Sequence, residues 1–156
     1  MAREMDLKDV IANSFAVLAQ TMLPIPIADV VEEKENGVTP PHDLSGIIAF
    51  SGPMEGMLTL HLNKKLAAQM TSLLLGFEVD ESSPDVSDAV GEITNILAGN
   101  FKTELGQLTG KSIEISIPSV IRGQQYEVES LSGTKTNQYI FHTSDGDAFA
   151  IKLTVK

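Results

Sequence analysis

Asp88, Glu92 and Asn95 are the residues of this 156-residue chain whose types and spacing best suit chemistry. On a helix turning about 100° per residue they share one face: Glu92 and Asn95 project as neighbours and Asp88 lies one turn earlier. A rigid helix presents an acid and an amide as one unit in this way; the carboxylate accepts hydrogen bonds, and the carboxamide both donates and accepts them. Asp85, Gly99 and Lys102 continue the stripe, while Val86, Val90, Ile93, Ile96, Leu97, Phe101 and Leu108 cover the opposite side, with Glu104 as the exception. Gly99 costs about 1 kcal/mol of helix stability relative to alanine but removes bulk, so a partner can approach closely there. By periodicity alone such a row is an ordinary solvated helix face.

The stripe requires a long helix. Ser83-Pro84 makes a good start, Asp85 and Asp88 suit the positive end of the helix dipole, and Gly110 suits the stop, so the helix is predicted to run to about Thr109. An amphipathic helix from about Asp6 to Met22 carries Val10, Ile11, Ser14, Phe15, Val17, Leu18 and Met22 on one side and is stopped by Pro24 and Pro26. Ile25 to Glu33 reads as a strand and Glu32 to Asp43 as a loop. GIIAFSG and GMLTLHL form a hairpin across a Gly-Pro turn, and Asn63 caps a helix through Leu75 that Gly76 ends. After the long helix, SIEISIPSVI, QYEVESL, NQYIFHT and DAFAIKLTV read as strands.

These elements give an α+β domain over residues 1–156, with long helices packed on one antiparallel sheet. The halves, about 1–76 and 77–156, also resemble each other. Residues 6–23 lie without gaps over residues 85–102, and residues 57–62 over residues 148–153, which suggests an internal duplication with pseudo-two-fold symmetry. In that alignment Asp9 falls opposite Asp88, Asn13 opposite Glu92 and Ala16 opposite Asn95, so only the second copy carries the acid and amide together.

Composition narrows the function. A formal net charge of −10 with only 11 Lys and Arg residues argues against nucleic acid or anionic lipid as a partner. With no cysteine there is no disulfide, thiolate nucleophile or Cys-based metal site, which fits a reducing cytosol. The N-terminal residues lack the apolar core of a secretion signal, and no apolar run is long enough to span a bilayer, so a cytoplasmic location is expected. His42, His61 and His142 are scattered along the chain and read as structural positions rather than metal ligands. The methionines and Phe15, Phe50, Phe77 and Phe101 read as core.

Asp88-x3-Glu92-x2-Asn95, followed after 22 intervening residues by Pro118, resembles the signature of the CheC, CheX and FliY phosphatases of bacterial chemotaxis. VIANSFAVLAQTM, AFSGPMEGMLTLHL and LLLG extend the similarity over most of the chain. Length, acidity and a single complete motif favour the CheX branch over CheC, whose members commonly carry two motif copies.

That resemblance implies a substrate, the aspartyl phosphate of a CheY-type response regulator. It also implies that Glu92 and Asn95 enter the partner's active site. Hydrolysis of this activated acyl phosphate chiefly requires a water held in line with the leaving carboxylate. Asn95 is accordingly expected to orient that water, and Glu92 to dock against the receiver's lysine. The receiver carries the Mg²⁺, so no cofactor is expected in this chain. Asp88, Gly99 and Lys102 are expected at the partner contact, and Pro118 in a structural role at a sheet edge or bulge. A homodimer joined through its sheets is implied as well, with an edge left for pairing among the strands after Pro118. The rival readings are a receiver-binding or flagellar-switch scaffold without catalysis, and an unrelated hydrolase using Asp88 and Glu92 as a carboxylate pair.

Overall fold

Asp6 opens the first helix of the computed structural model, which describes residues 6–34, 37–124, 126–129 and 132–156. Its carboxylate accepts from the Lys8 N–H at 3.0 Å and caps α1 (Leu7–Thr21). Asn63 does the same for α2 (Lys64–Leu75), accepting from the Leu66 N–H at 2.8 Å, and Gly76 ends that helix in the left-handed conformation at φ +81°. α3 (Asp85–Thr109) begins where Pro84 already has helical angles and Ser83 Oγ accepts from the Asp85 N–H; Gly110 ends it at φ +66°. Only α3, at 25 residues, is long; α1 and α2 have 15 and 12.

The strands are β1 (Ile27–Lys34), β2 (Leu44–Ser51), β3 (Gly56–Leu62), β4 (Glu114–Ile115), β5 (Ser119–Arg122), β6 (Lys135–Thr143) and β7 (Ala148–Val155). They form one antiparallel sheet in the order β1-β6-β7-β3-β2, with β4 and β5 both paired to β2. The fold is therefore α+β, with its helices against an antiparallel sheet. One strand expectation needs correction here. Residues 126–129 of QYEVESL form no strand: Tyr126 is hydrogen-bonded to Ser45 and packs on His42, which lays the segment over a sheet face instead of along an edge; Gln125, Ser130 and Leu131 lie outside the described residues. The strands after Pro118 do leave an edge, as expected: β5 is an outer strand beside β4, while β6 and β7 lie inside the sheet and β1 forms its other end.

Alternation along the strands sends two sets of side chains to opposite faces. Toward the helices, Leu58, Leu60, Leu62, Phe149, Ile151 and Leu153 are buried in one core. Phe15 of α1 lies 5.1 Å from both Phe141 and Phe149, and Phe101 of α3 lies 5.1 Å from Phe50 of β2, so aromatic pairs tie α1 and α3 to the sheet. Gly46 of β2 admits α3 more closely still. A Cβ there would stand 1.9 Å from Thr94 Oγ1 and 2.8 Å from Thr94 Cβ, which only a glycine avoids. The expected apolar faces hold with three exceptions: Val17 and Met22 are exposed on α1, and Leu108 is 57% exposed where the last turn of α3 runs past the core.

The other sheet face carries buried polar groups, among them Ser45, Thr59, His61 and Gln138. Ser45 Oγ is hydrogen-bonded to both His61 Nδ1 and the Tyr126 hydroxyl, and the His42 ring stands 4.3 Å from His61 and 4.9 Å from Tyr126. The fold thus gathers His42 and His61, which looked scattered, while His142 bonds Asp29 elsewhere. Burial, helped by the charges of His42 and Lys152, pushes the His61 pKa down from 6.5 to about 3.

Two outcomes are expected. Gly46→Ala lowers unfolding free energy by about 1–3 kcal/mol through overpacking against Thr94, measured by urea denaturation. The unfolded chain protonates His61 below its ordinary pKa of 6.5, whereas the folded chain holds it neutral down to about 3, so folding stability falls as pH drops through that window. Replacing His61 with Asn should flatten the stability profile by up to about 1.4 kcal/mol per pH unit there, read from urea midpoints at several pH values.

Candidate functional site

Helix α3 is held from three sides, which fixes the direction of its outer face. Beneath it, Thr94 is buried over Gly46, and its hydroxyl is satisfied by donating to the Val90 carbonyl at 2.7 Å. On one flank, Val120 Cγ2 stands 3.4 Å from where a Cβ on Gly91 would lie. The Arg122 guanidinium on the same flank donates to Ser87 Oγ at 3.2 Å and to the Glu81 carbonyl at 3.0 Å. On the other flank, Asn100 Nδ2 donates to the Ser14 carbonyl of α1 at 3.0 Å. Val86, Ala89, Val90, Ile93, Leu97, Phe101 and Leu105 fill the core, and one apolar stripe of this width leaves the polar stripe outward.

Asp88, Glu92, Asn95 and Lys102 are all exposed along that outer face. The side chains of Asp88, Glu92 and Asn95 make no hydrogen bond or ion pair with other described residues. Gly99 is half-buried, and a Cβ placed on it would meet no atom within 4 Å, so packing inside this chain does not require glycine there. Pro118 stands in the gap between β4 and β5, at the outer side of β2. Ser116 bridges this break in the ladder: its N–H donates to the Ala49 carbonyl and its Oγ accepts from the Ala49 N–H, each at 2.9 Å. Two residues beyond Pro118, Val120 faces α3, so the segment that carries the proline flanks the helix that carries the acid and amide.

The structure adds a feature the sequence reading missed. Phe77, expected in the core, is 59% exposed, because Gly76 turns the chain away from the core at the end of α2. With Leu74 and Leu75 it lines a groove of about 390 Å³ whose remaining lining is Asp85, Asp88, Ala89 and Glu92. A signal was present: Phe77 follows a helix-ending glycine and leads into the acidic, turn-rich run EVDESS, a poor setting for a buried ring. Among the described residues no group of three or more His, Asp or Glu side chains could hold a metal ion. No helix among them is long and apolar enough to cross a membrane.

Comparison with known proteins agrees with this fold. The family model described as chemotaxis phosphatase CheX matches residues 44–142. The CheY-P phosphatase CheX of Thermotoga maritima is 30% identical over 91 residues, spanning 58% of this chain and 58% of that protein. The crystal structure of a CheX from Desulfovibrio desulfuricans matches with a TM-score of 0.85 at 20% identity, covering 97% of this chain and 100% of that one. A Borrelia burgdorferi CheX, crystallised with CheY, BeF3 and Mg²⁺, matches with a TM-score of 0.75 at 22% identity, covering 98% and 99%. At those identities the two structures show a shared fold. With the family model spanning more than half of its length, and with the acid, amide and proline at the motif spacing, the chain belongs to the chemotaxis phosphatase CheX family.

Proposed function

We propose that this chain is a cytoplasmic phosphatase that hydrolyses the aspartyl phosphate of a CheY-type receiver domain. The observation that carries the proposal is the pair Glu92 and Asn95, adjacent, exposed and aimed outward from a helix locked on three sides. The relative from Thermotoga maritima is a CheY-P phosphatase, and the Borrelia burgdorferi relative forms a complex with CheY, which supports the same partner class here.

In this reading the receiver supplies the Mg²⁺ that neutralises the phosphoryl oxygens, and this chain supplies no metal. Asn95 enters the receiver's site and holds the attacking water by donating to it and accepting from it. The water oxygen bonds phosphorus as the bond to the aspartyl carboxylate breaks, releasing inorganic phosphate and restoring the free carboxylate. Glu92 pairs with the receiver's lysine and so sets the depth and angle at which Asn95 arrives. Asp88 and Lys102 meet the rim of the receiver, and the bare backbone at Gly99 lets it come close. Pro118 breaks the edge ladder and so supports the segment beside α3.

The architecture further supports one domain, residues 1–156, built by duplication. β1, which follows α1, extends the β6–β7 hairpin; β5, which follows α3, extends the β2–β3 hairpin; and the hairpins meet where β3 pairs with β7. Exchanging the halves about the β3–β7 line reproduces the order, and only the α3 copy bears acid and amide. The homodimer belongs to this proposal too, with β1 and the β4–β5 side as the outer strands available for pairing between sheets.

Phosphate release from a phosphorylated receiver with Mg²⁺ is the direct assay. Asn95→Ala is expected to lower kcat by about 100-fold or more while receiver binding is retained. Glu92→Ala is expected to raise KM about 10-fold and lower kcat as well. Native protein that binds the receiver without changing its dephosphorylation rate would instead identify a scaffold. Gly99 offers a second, opposed pair of readouts. Gly99→Leu should raise helix stability by up to about 1 kcal/mol in urea denaturation, since nothing in the chain obstructs it, yet raise KM by keeping the receiver at a distance.

A further inference from the structure

Phe77 is a large apolar side chain that the fold leaves outside its core, and its position is specific. The groove it forms with Leu74 and Leu75 is closed on the far side by the first two turns of α3, so Asp88 and Glu92 belong both to this groove and to the proposed catalytic face. On its other side Phe77 borders a wider depression of about 1040 Å³ along α2. Three carboxylates line the wider depression, Glu78, Asp80 and Glu81, and three line the groove, Asp85, Asp88 and Glu92; no Lys or Arg lines either.

An exposed aromatic ring in an acidic rim has the make-up of an interface anchor, apolar at the centre and charged around it. The charge selects among possible occupants. A second copy of this chain would bring a body of formal charge −10 against six carboxylates, whereas a basic face is steered toward them. Continuity with Glu92 places that basic face on the same partner that the catalytic pair engages.

We propose that the Phe77 groove is a receiver-docking site, which takes an apolar side chain flanked by Lys or Arg on the receiver surface beside the phosphorylated aspartate. This inference rests on the phosphatase reading above. Phe77 acts in it as an affinity and specificity determinant, distinct from Asn95, which acts on the reacting water.

Steady-state phosphate release from a phosphorylated receiver separates the two. Phe77→Ser should raise KM about 10-fold with kcat within about twofold of native, and Phe77→Leu, which keeps apolar area, should restore most of the affinity. Rising ionic strength should raise the native KM. Because the ring is largely exposed, both variants should keep the native thermal midpoint, followed by circular dichroism. Native KM and kcat in Phe77→Ser beside an inactive Asn95→Ala would overturn the docking groove and leave the phosphatase standing. A native rate in Asn95→Ala would remove both. A smaller sedimentation coefficient for Phe77→Ser, with KM unmoved, would assign the groove to a second copy of the chain and overturn the proposal.

Discussion

Thr94 rests against the bare backbone of Gly46, and the orientation of the whole outer surface of α3 follows from that contact. With no side chain at position 46, the helix settles directly on β2, and Phe101 meets Phe50 further along the same strand. Once these positions face inward, the helical period leaves no freedom for the rest: Asp88, Glu92 and Asn95 must face outward. Arg122, Asn100 and Val120 then prevent the helix from rolling. The proposed work of this face, placing one amide against another protein's reactive bond, depends on such rigidity, because small displacements are costly in rate.

The same helix explains why the two sheet faces differ in character. Toward the helices the sheet is apolar and filled by aromatic rings. Away from them it buries Ser45, His61, Thr59 and Gln138 under the segments that carry His42 and Tyr126. That second face holds His61, whose pKa burial lowers to about 3, yet Ser45 and His61 are fully enclosed, so they secure the covering segments and present nothing to a partner. The proposed chemistry lies where side chains are exposed on a rigid support, on α3.

Much of this was legible in the residues. The three helices carry explicit punctuation: Asp6, Asn63 and Ser83-Pro84 at the starts, Gly76 and Gly110 at the stops. That Glu92 and Asn95 lie side by side on an exposed face was readable from their spacing, three residues apart on a helix, although by periodicity alone the face reads as ordinary solvated surface. Features that depend on distant pairing were not readable. QYEVESL has strand composition, but Tyr126 is held across the sheet face by Ser45 and His42, contacts made by residues distant in the chain. His42 and His61 become neighbours only when the chain crosses the sheet's second face. Phe77 has the composition of core and the location of surface, since the turn at Gly76 carries it out of the apolar layer.

In the proposed function the amide of Asn95 enters the receiver's active site. The most direct test is the side-chain amide resonance of Asn95 in the ¹⁵N-labelled protein, followed on addition of a receiver activated with beryllofluoride and Mg²⁺. This NH₂ pair is expected to shift or broaden together with the backbone signals of Glu92 and Gly99, while His61 and Ser45 on the far face stay unmoved. Binding that leaves the Asn95 amide unperturbed and moves signals of β1 or of the second sheet face would contradict it.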